Sequence, residues 1–585
     1  QTLGDKVKVY QVQIQAGIAQ NKFSEAIQTA LSVLQQVGIE FPETPSQSDI
    51  ERALSETQSK LAGKNPLDLT ELPLMTDSYT QIAMRILSSV IPATFKALPE
   101  LFPLIVLKQV NLSLDYGNAP LSAFTYACYG LLLCGDIGDI ELGYQFGEVA
   151  LQLLNRLTIK ELKANILEVV TTYIKPWKEP LKETLNPLLD AYKSGLETGN
   201  LEFAAYSLFV YSYYAYFNGK ELNSLAKKMA TYSIQMQQLK QGAALSLHQP
   251  YQQAVLNLIG QTEYPWRLIG EVYNEDTQLS LLRQANNREA ICYVYLNKMI
   301  LCYLFGKYEQ AVDYANLAER DLAGGLPVAI FHFYDSLARL ARYDEASRAE
   351  QETILEKVNA NQDKMRNWAV HAPMNFLHKF ELVEAERHRV FGNLTEAIDS
   401  YEQAIAGAKT SEYIQEEALA NERAAQFYVA WGKPKIAQVY LIDAYYGYVH
   451  WGAKAKVEAL QAHYPQLLTK LSASRDLKTP TTTKSLTTTT SSITGNKETL
   501  DLATISKASQ AISSEIVLEK LLKTLMEILL ENAGAQLGYL ILEHQGQFFI
   551  EAAGQVDATV MSERMQEDRR QRPEGRRQKA QTKEP

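Results

Sequence analysis

The chain has 585 residues, 46% of them hydrophobic and 21% charged, with a formal net charge of −10 at pH 7. That length exceeds what one hydrophobic core organises, so several domains or one elongated repeat array are implied. The acidic balance favours solubility and disfavours non-specific contact with nucleic acid, and no DNA-binding surface is expected.

Four cysteines, Cys128, Cys134, Cys292 and Cys302, show no Cys-x-x-Cys spacing. Buried thiols in a reducing, cytoplasmic setting are the simplest expectation. The best apolar run, LSAFTYACYGLLLC from Leu121 to Cys134, falls short of the ~20 residues of a membrane span and suits a buried helix. No membrane association and no signal peptide are expected. The sequence opens at Gln1, without a methionine and inside helical sequence, and so reads as part of something longer.

In residues 1–471, helical periodicity dominates and small residues recur at fixed offsets. In GNLTEAIDSYEQAIAGA, Gly392 is followed by Leu394, Ala397, Tyr401 and Ala404 at offsets of two, five, nine and twelve. The spacing returns in Gly306, Tyr308, Ala311, Ala315 and Ala318, and in Asn21, Phe23, Ala26, Ala30 and Val33. Weaker copies start at Gly138, Gly199 and Gly432. The Gly or Asn permits the left-handed turn that ends one helix, and alanine at the crossing lets its antiparallel partner approach closely. This is the spacing of the tetratricopeptide repeat, whose unit is about 34 residues. Starts such as Gly392 and Gly432, 40 residues apart, make the repeats irregular. The fold class expected is mainly α, an irregular tetratricopeptide-like solenoid. Prolines at 42, 45, 66, 73, 92, 99 and 103 predict short, interrupted helices in the N-terminal part, with loops at EFPETPSQSD and AGKNPLDLTELP.

Residues 472–496 form a Thr/Ser-rich linker, including TPTTTKSLTTTTSSITGN, which fits an extended, solvated connector. Residues 497–554 read as a partial α+β unit. A long amphipathic helix carries Leu518, Leu521, Leu522, Leu525, Ile528 and Leu529 on one stripe, which either packs on its own domain or pairs with a second chain, making a homodimer through residues 500–533. Two strands, Tyr539 to Glu543 and Gln547 to Ala552, follow around a Gln-Gly turn. Residues 555–585 mix charges of both signs, Arg569, Arg570, Arg572, Arg576 and Arg577 among Glu567, Asp568, Glu574 and Glu584, and suit a disordered, solvated tail.

No phosphate loop, no Gly-x-Gly-x-x-Gly and no His-Arg-Asp with a downstream Asp-Phe-Gly occurs in the sequence, so no catalytic or cofactor-binding residue is assigned and no cofactor is expected. HAPMNFLHKFELVEAERH places His371, His378 and His388 near Glu381 and Glu384. If helical throughout, it sets His371 and His378 two turns of about 5.4 Å apart, beyond what one metal normally bridges, so packed or solvated histidines are favoured and no metal ligand is assigned. SLFVYSYYAYF, from Ser207 to Phe217, reads as helix-interface packing in preference to a stacking surface for a ligand.

Two long segments carry a family resemblance. GAKTSEYIQEEALANERAAQFYVAWGKPKIAQVYLIDAYYGYVHWGAKAKVEALQAHYPQLL, from Gly407 to Leu468, resembles the end of the helical region in cyanobacterial multi-sensor signal-transduction kinases. LDLATISKASQAISSEIVLEKLLKTLMEILLENAGAQLGYLIL, from Leu500 to Leu542, resembles the segment that opens their GAF domain, and HAPMNFLHKFELVEAE is similar too. In that family a serine/threonine kinase domain and an AAA-like ATPase precede the helical region, and a histidine kinase of the two-component type often follows GAF. The resemblance implies a non-catalytic scaffold and signal-relay region, with protein partners among the kinase and ATPase modules of the same system and an extended concave binding surface. Its alternatives are a portion of an active kinase whose catalytic domains lie outside this sequence, or a GAF-type small-molecule sensor. No catalytic residue of the family can be carried over.

Overall fold

The structure, a computed structural model, describes residues 3–20, 22–322, 324–472, 537–544 and 547–555. The Thr/Ser-rich stretch from 473 onward, the leucine stripe from Leu518 to Leu529 and the charged tail lie outside the described residues.

Twenty-three α-helices are described. The first are α1 (Leu3–Ala19), α2 (Phe23–Gln36), α3 (Gln47–Leu61), α4 (Ser78–Ala97), α5 (Leu101–Tyr116), α6 (Ser122–Leu132), α7 (Ile140–Leu157) and α8 (Lys163–Tyr173). Then come α9 (Leu185–Thr198), α10 (Leu201–Phe217), α11 (Leu222–Gln238), α12 (Gly242–Ile259), α13 (Glu275–Gln284), α14 (Arg288–Leu304), α15 (Tyr308–Ala318) and α16 (Leu326–Ala341). The last are α17 (Arg348–His371), α18 (Pro373–Phe391), α19 (Leu394–Thr410), α20 (Ile414–Ala430), α21 (Pro434–Trp451), α22 (Lys454–His463) and α23 (Pro465–Ser472).

The repeated spacing has a direct structural meaning. Gly306 and Gly392 take φ of 71° and 74°, the left-handed conformation that closes one helix and turns the chain back. Five residues later the second helix crosses the first, and Ala26, Gly143, Ala204, Ala311, Ala397 and Ala437 at that offset are all buried. The approach is close enough to limit side-chain size. A Cβ on Gly195 would stand 2.8 Å from the Cβ of Ala204, and one on Gly143 would stand 2.9 Å from the carbonyl oxygen of Gly130. Offsets nine and twelve face the same seam, where Tyr401, Ala404, Ala315 and Ala318 are buried. Hairpins α1/α2, α6/α7, α9/α10, α14/α15, α18/α19 and α20/α21 form in this way.

The hairpins stack so that the even-numbered helices from α6 to α20 contact one another in succession, forming an inner layer. From Ala204 to Phe217 every residue of α10 except Tyr206 is buried, as is every residue of α14 from Cys292 to Leu304. A helix apolar on all sides belongs inside a core. Tyr213 of α10 stacks on Tyr251 of α12 at 5.4 Å, and Tyr216 stacks on Trp451 of α21 at 6.1 Å. Each such buried aromatic contributes about 1.5–3 kcal/mol through the area removed from water.

The layer coils back on itself. Helix α12 packs against α22, and Asn375 of α18 reaches residues almost two hundred positions earlier. Its Nδ2 donates to the carbonyls of Pro176 and Glu179, both at 2.8 Å, and its Oδ1 accepts from the Leu181 N–H and the Tyr413 hydroxyl, both at 3.0 Å. Gln415 donates to Phe217 O at 2.5 Å, and on the surface Lys182 pairs with Glu412 at 3.1 Å. The extended concave surface that the resemblance implied is not free between α10 and α20, where Gln415 meets the Phe217 carbonyl and Tyr216 meets Trp451.

The tyrosine-rich stretch packs inside α10, as expected. The proline argument for short helices fails, because α4 runs 20 residues through Pro92. There buried Val90, Ile91 and Ala93 on the flanking positions hold the helix together, and tertiary packing outweighs the lost hydrogen bond. The AGKNPLDLTELP loop contains a short 3₁₀ helix, Pro66–Glu71. Among the described residues, no helix is long and apolar enough to cross a membrane.

The chain divides into two compact units, residues 1–479 and 480–585. In the second unit, β1 (Leu537–His544) pairs antiparallel with β2 (Gln547–Gln555), in register from Leu537 opposite Gln555 to His544 opposite Gln547, with an irregularity between Leu540 and Ile541. These strands extend the two expected from sequence. They are the whole of the described part of that unit, and by themselves they do not define a GAF fold.

The α6/α7 crossing gives a contrast of two glycines. Gly143→Ala is expected to destabilise by about 1–3 kcal/mol through overpacking. Gly135→Ala, whose Cβ meets nothing within 4 Å, should be neutral or slightly stabilising. Thermal melts of the two variants followed by circular dichroism check the difference.

Candidate functional site

The inner layer carries charges, and they lie where helices distant in sequence meet. Glu386 of α18 is fully buried and grips Arg423 of α20 in two parallel bonds, Nε to Oε1 at 3.0 Å and Nη2 to Oε2 at 2.8 Å. Arg389 adds a bond to Oε2 at 2.9 Å and the Tyr401 hydroxyl donates to Oε1 at 2.6 Å. Burial alone pushes the Glu386 carboxyl up, but the charges of Arg423 and Arg389 and these bonds outweigh it and bring the pKa down to about 2. The pair is therefore ionised and fully bonded, the condition under which a buried ion pair is tolerated.

Two further pairs repeat the device. Lys379 and Glu416 meet at 2.8 Å, and Lys379 also donates to Asn375 O at 2.8 Å. Lys456 of α22 donates to Glu422 at 2.8 Å and to Leu304 O at 2.5 Å, while the Tyr448 hydroxyl donates to the other oxygen of Glu422 at 2.6 Å. Helix α22 is thus tied to the end of α14, about 150 residues earlier in the sequence.

The turn and crossing positions named from sequence fall into this frame unevenly. Ala311, Ala318, Ala397, Tyr401 and Ala404 are buried in the hairpin seams. Tyr308 is half-buried and accepts a bond from Arg423 Nη1 at 3.1 Å. Leu394 stands exposed at its turn. The histidine cluster does not assemble. The helix breaks between His371, which ends α17, and Pro373, which opens α18. His378 contacts Glu416, Glu384 accepts from Gln362 and Arg387, and His388 lies beside Asn393. Among the described residues no three His, Cys, Asp or Glu side chains are placed to hold a metal ion. All four cysteines are free and buried, and burial pushes the Cys134, Cys292 and Cys302 thiols up to about 12, so each stays protonated and unreactive.

One concave feature lies against these fasteners. A cleft of about 400 Å³ opens between the α14–α15 turn, α20 and α22, with Tyr303, Tyr308, Glu422, Arg423, Lys456 and Tyr464 in its walls. Sequence reasoning missed it because its walls come from segments more than a hundred residues apart. The only local signal is a charged residue inside an otherwise apolar helical face, as with Glu422 and Arg423 in ALANERAAQF.

No family model matches the chain, and no curated protein matches it. Among solved structures, a circular tandem repeat protein with novel repeat topology and enhanced subunit contact surfaces matches at 13% identity, over 80% of this chain and 97% of that one. The TM-score is 0.14, so the likeness carries no argument.

Two predictions follow from the buried charges. Glu386→Gln leaves Arg423 and Arg389 facing a neutral group and is expected to cost about 3–5 kcal/mol. Asp344→Asn, which breaks the exposed 3.0 Å pair of Asp344 with Arg389, should cost less than about 1 kcal/mol; urea denaturation of both variants distinguishes the two. The second concerns pH. Burial brings His248, His332 and His378 down to about 4, against about 6.5 in the unfolded chain. Their neutral forms support the fold fully above pH ~6.5, and that support is lost as pH falls through ~4, by on the order of 3 kcal/mol per residue. The melting temperature should therefore drop between pH 6.5 and 4, and His248→Gln should shrink the drop by about a third.

Proposed function

We propose that the chain is a non-catalytic scaffold and signal-relay region of a multi-sensor signal-transduction kinase, working by protein–protein interaction through its helical repeats. The observation that carries this reading is an apolar edge on the last hairpins. Phe391 and Leu394 flank the α18–α19 turn, and Val429, Trp431, Ile436 and Val439 flank the α20–α21 turn, all exposed. Trp431 stacks on Tyr428 at 6.0 Å and Lys433 lies 5.5 Å over the Trp431 ring, so the edge is ordered and presents flat aromatic surface.

Turns of successive hairpins line up on this side, since Arg389 bonds both Leu340 O and Asp344 at the preceding turn. Grouped apolar side chains on a rigid rim are what a protein partner covers. With the inner face filled, this outer rim replaces the concave face as the contact surface. The partners that fit the reading are the serine/threonine kinase and ATPase modules of the same system. A tightly closed coil suits relay, because a load on the rim reaches α18 and α20 through side chains that are already bonded.

Co-expression of the chain with such kinase and ATPase modules, followed by size-exclusion chromatography, tests the proposal. A complex is expected for the wild type and a loss of at least about tenfold in affinity for Trp431→Glu combined with Val439→Glu, as for a central aromatic contact. The circular dichroism melt should stay unchanged. A wild-type chain that elutes alone contradicts the reading.

A further inference from the structure

We infer that Glu168 of α8 is a proton-operated latch: with its proton in place α8 packs against α6 and α10, and when the proton leaves that helix loosens. Six carboxylates are buried among the described residues, Glu168, Glu275, Asp335, Glu386, Glu416 and Glu422. Five of them meet a cation. Glu275 meets Lys298 at 2.5 Å, Asp335 meets Arg339 at 2.7 Å, and Glu386, Glu416 and Glu422 meet Arg423, Lys379 and Lys456 at 2.8 Å each. Glu168, 6% exposed, has no such partner among the described residues. Its carboxyl accepts one bond, from the Thr172 hydroxyl to Oε1 at 3.2 Å. A buried carboxylate without a counter-charge is costly, and the group avoids the cost by holding a proton.

Its surroundings offer no substitute for that proton. Cys128 faces Glu168 from α6, Tyr173 from α8 itself, Glu202 and Tyr214 from α10, and Glu289 from α14. Helices α7 and α9 and the turn Lys175–Trp177 contribute none of the groups that act on it. Two of the facing groups are carboxylates and none is a cation. Lys96 of α4, whose charge acts on Glu289, is committed to the Tyr206 hydroxyl at 2.6 Å and to Glu202 at 3.6 Å. Burial, reinforced by the like charges of Glu289 and Glu202, outweighs the Thr172 bond and pushes the Glu168 carboxyl up to about 7. The folded value lies above the ~4.3 of an unfolded glutamate. The stability it contributes is therefore complete below pH ~4.3 and is lost as pH rises through about 7.

Ionisation bears on the closure of the coil. The Tyr214 hydroxyl donates to Thr172 O at 2.5 Å, and Trp177 Nε1 donates to Tyr173 O at 2.9 Å. The end of α8 thus seats the connection from Pro176 to Leu181 that Asn375 holds. A charge formed at Glu168 draws water between α8 and α10, and the seat of the closure slackens above neutral pH. The inference does not rest on the scaffold reading.

Hydrogen exchange of the full chain, read by mass spectrometry on α8 peptides at about pH 6 and about pH 8.5 and corrected for intrinsic rates, tests it. In the wild type the opening of α8 should rise about tenfold between the two, the ratio set by a carboxyl that titrates near 7 when folded and near 4.3 when opened. Glu168→Gln, which keeps the shape and cannot ionise, should abolish the rise. Infrared spectroscopy of the wild type supplies a second readout: a protonated-carboxyl stretch present at about pH 6 should vanish by about pH 8.5. If Glu168→Gln fails to fold, the wild-type exchange and infrared titrations decide. An α8 opening that does not change with pH, the same rise in Glu168→Gln, or no protonated-carboxyl stretch at about pH 6 overturns the inference.

Discussion

The coil depends on one asparagine. The Asn375 side-chain amide is buried, and its two ends make four bonds, to the carbonyls of Pro176 and Glu179, the N–H of Leu181 and the hydroxyl of Tyr413. Every capacity it uses is matched by a backbone or hydroxyl group of another segment. Pro176, Glu179 and Leu181 belong to the connection between α8 and α9, and Tyr413 to the one between α19 and α20, so the amide fixes where the later hairpins return to the earlier ones. Trp177 stacks on Phe376 at 5.5 Å beside it, and the apolar contact excludes the water that would compete for these bonds. An open solenoid needs only contacts between neighbouring repeats. This chain adds contacts across a whole turn of the coil, and that is why its inner helices are buried on every side.

A filled axis creates its own problem, which the ion pairs answer. Helices α18, α20 and α22 bring Glu386, Lys379, Glu416, Glu422, Arg423 and Lys456 into the interior. There each charge is matched by an opposite charge and further hydrogen bonds. Such pairs contribute little net stability against an apolar alternative, but breaking one leaves a charge stranded. They act as registers, because sliding the hairpins past one another would separate the partners and strand these charges. Rigidity of this kind favours a part that holds others in place, and it directs attention to the outer rim around Trp431.

Much of the fold was legible because its cause is local. The residue five positions after a turn must be small whenever two helices cross closely, so the hairpins marked by Gly138, Gly199, Gly306, Gly392 and Gly432 show in the order of the letters. The buried tyrosine helix follows from its unbroken apolarity. The closure was not legible, since nothing near Asn375 or Gln415 announces a partner two hundred residues away. The histidine segment shows the same limit: helical spacing set His371 and His378 on one face, whereas the break before Pro373 and the pairing of His378 with Glu416 are tertiary facts. For the same reason the cleft left almost no trace in sequence, and the concave face that the repeats suggested is occupied by the chain itself.

The central claim is that the coil closes on itself, and the exposed Lys182–Glu412 pair at 3.1 Å tests it most directly. Zero-length carbodiimide cross-linking of the full chain, read by peptide mass spectrometry, should join Lys182 to Glu412. It should also join Lys178 to Glu141, which meet at 2.7 Å within one neighbourhood of the solenoid. Recovery of both links is the predicted result. Recovery of Lys178–Glu141 without Lys182–Glu412 would mean an open solenoid and would contradict the account.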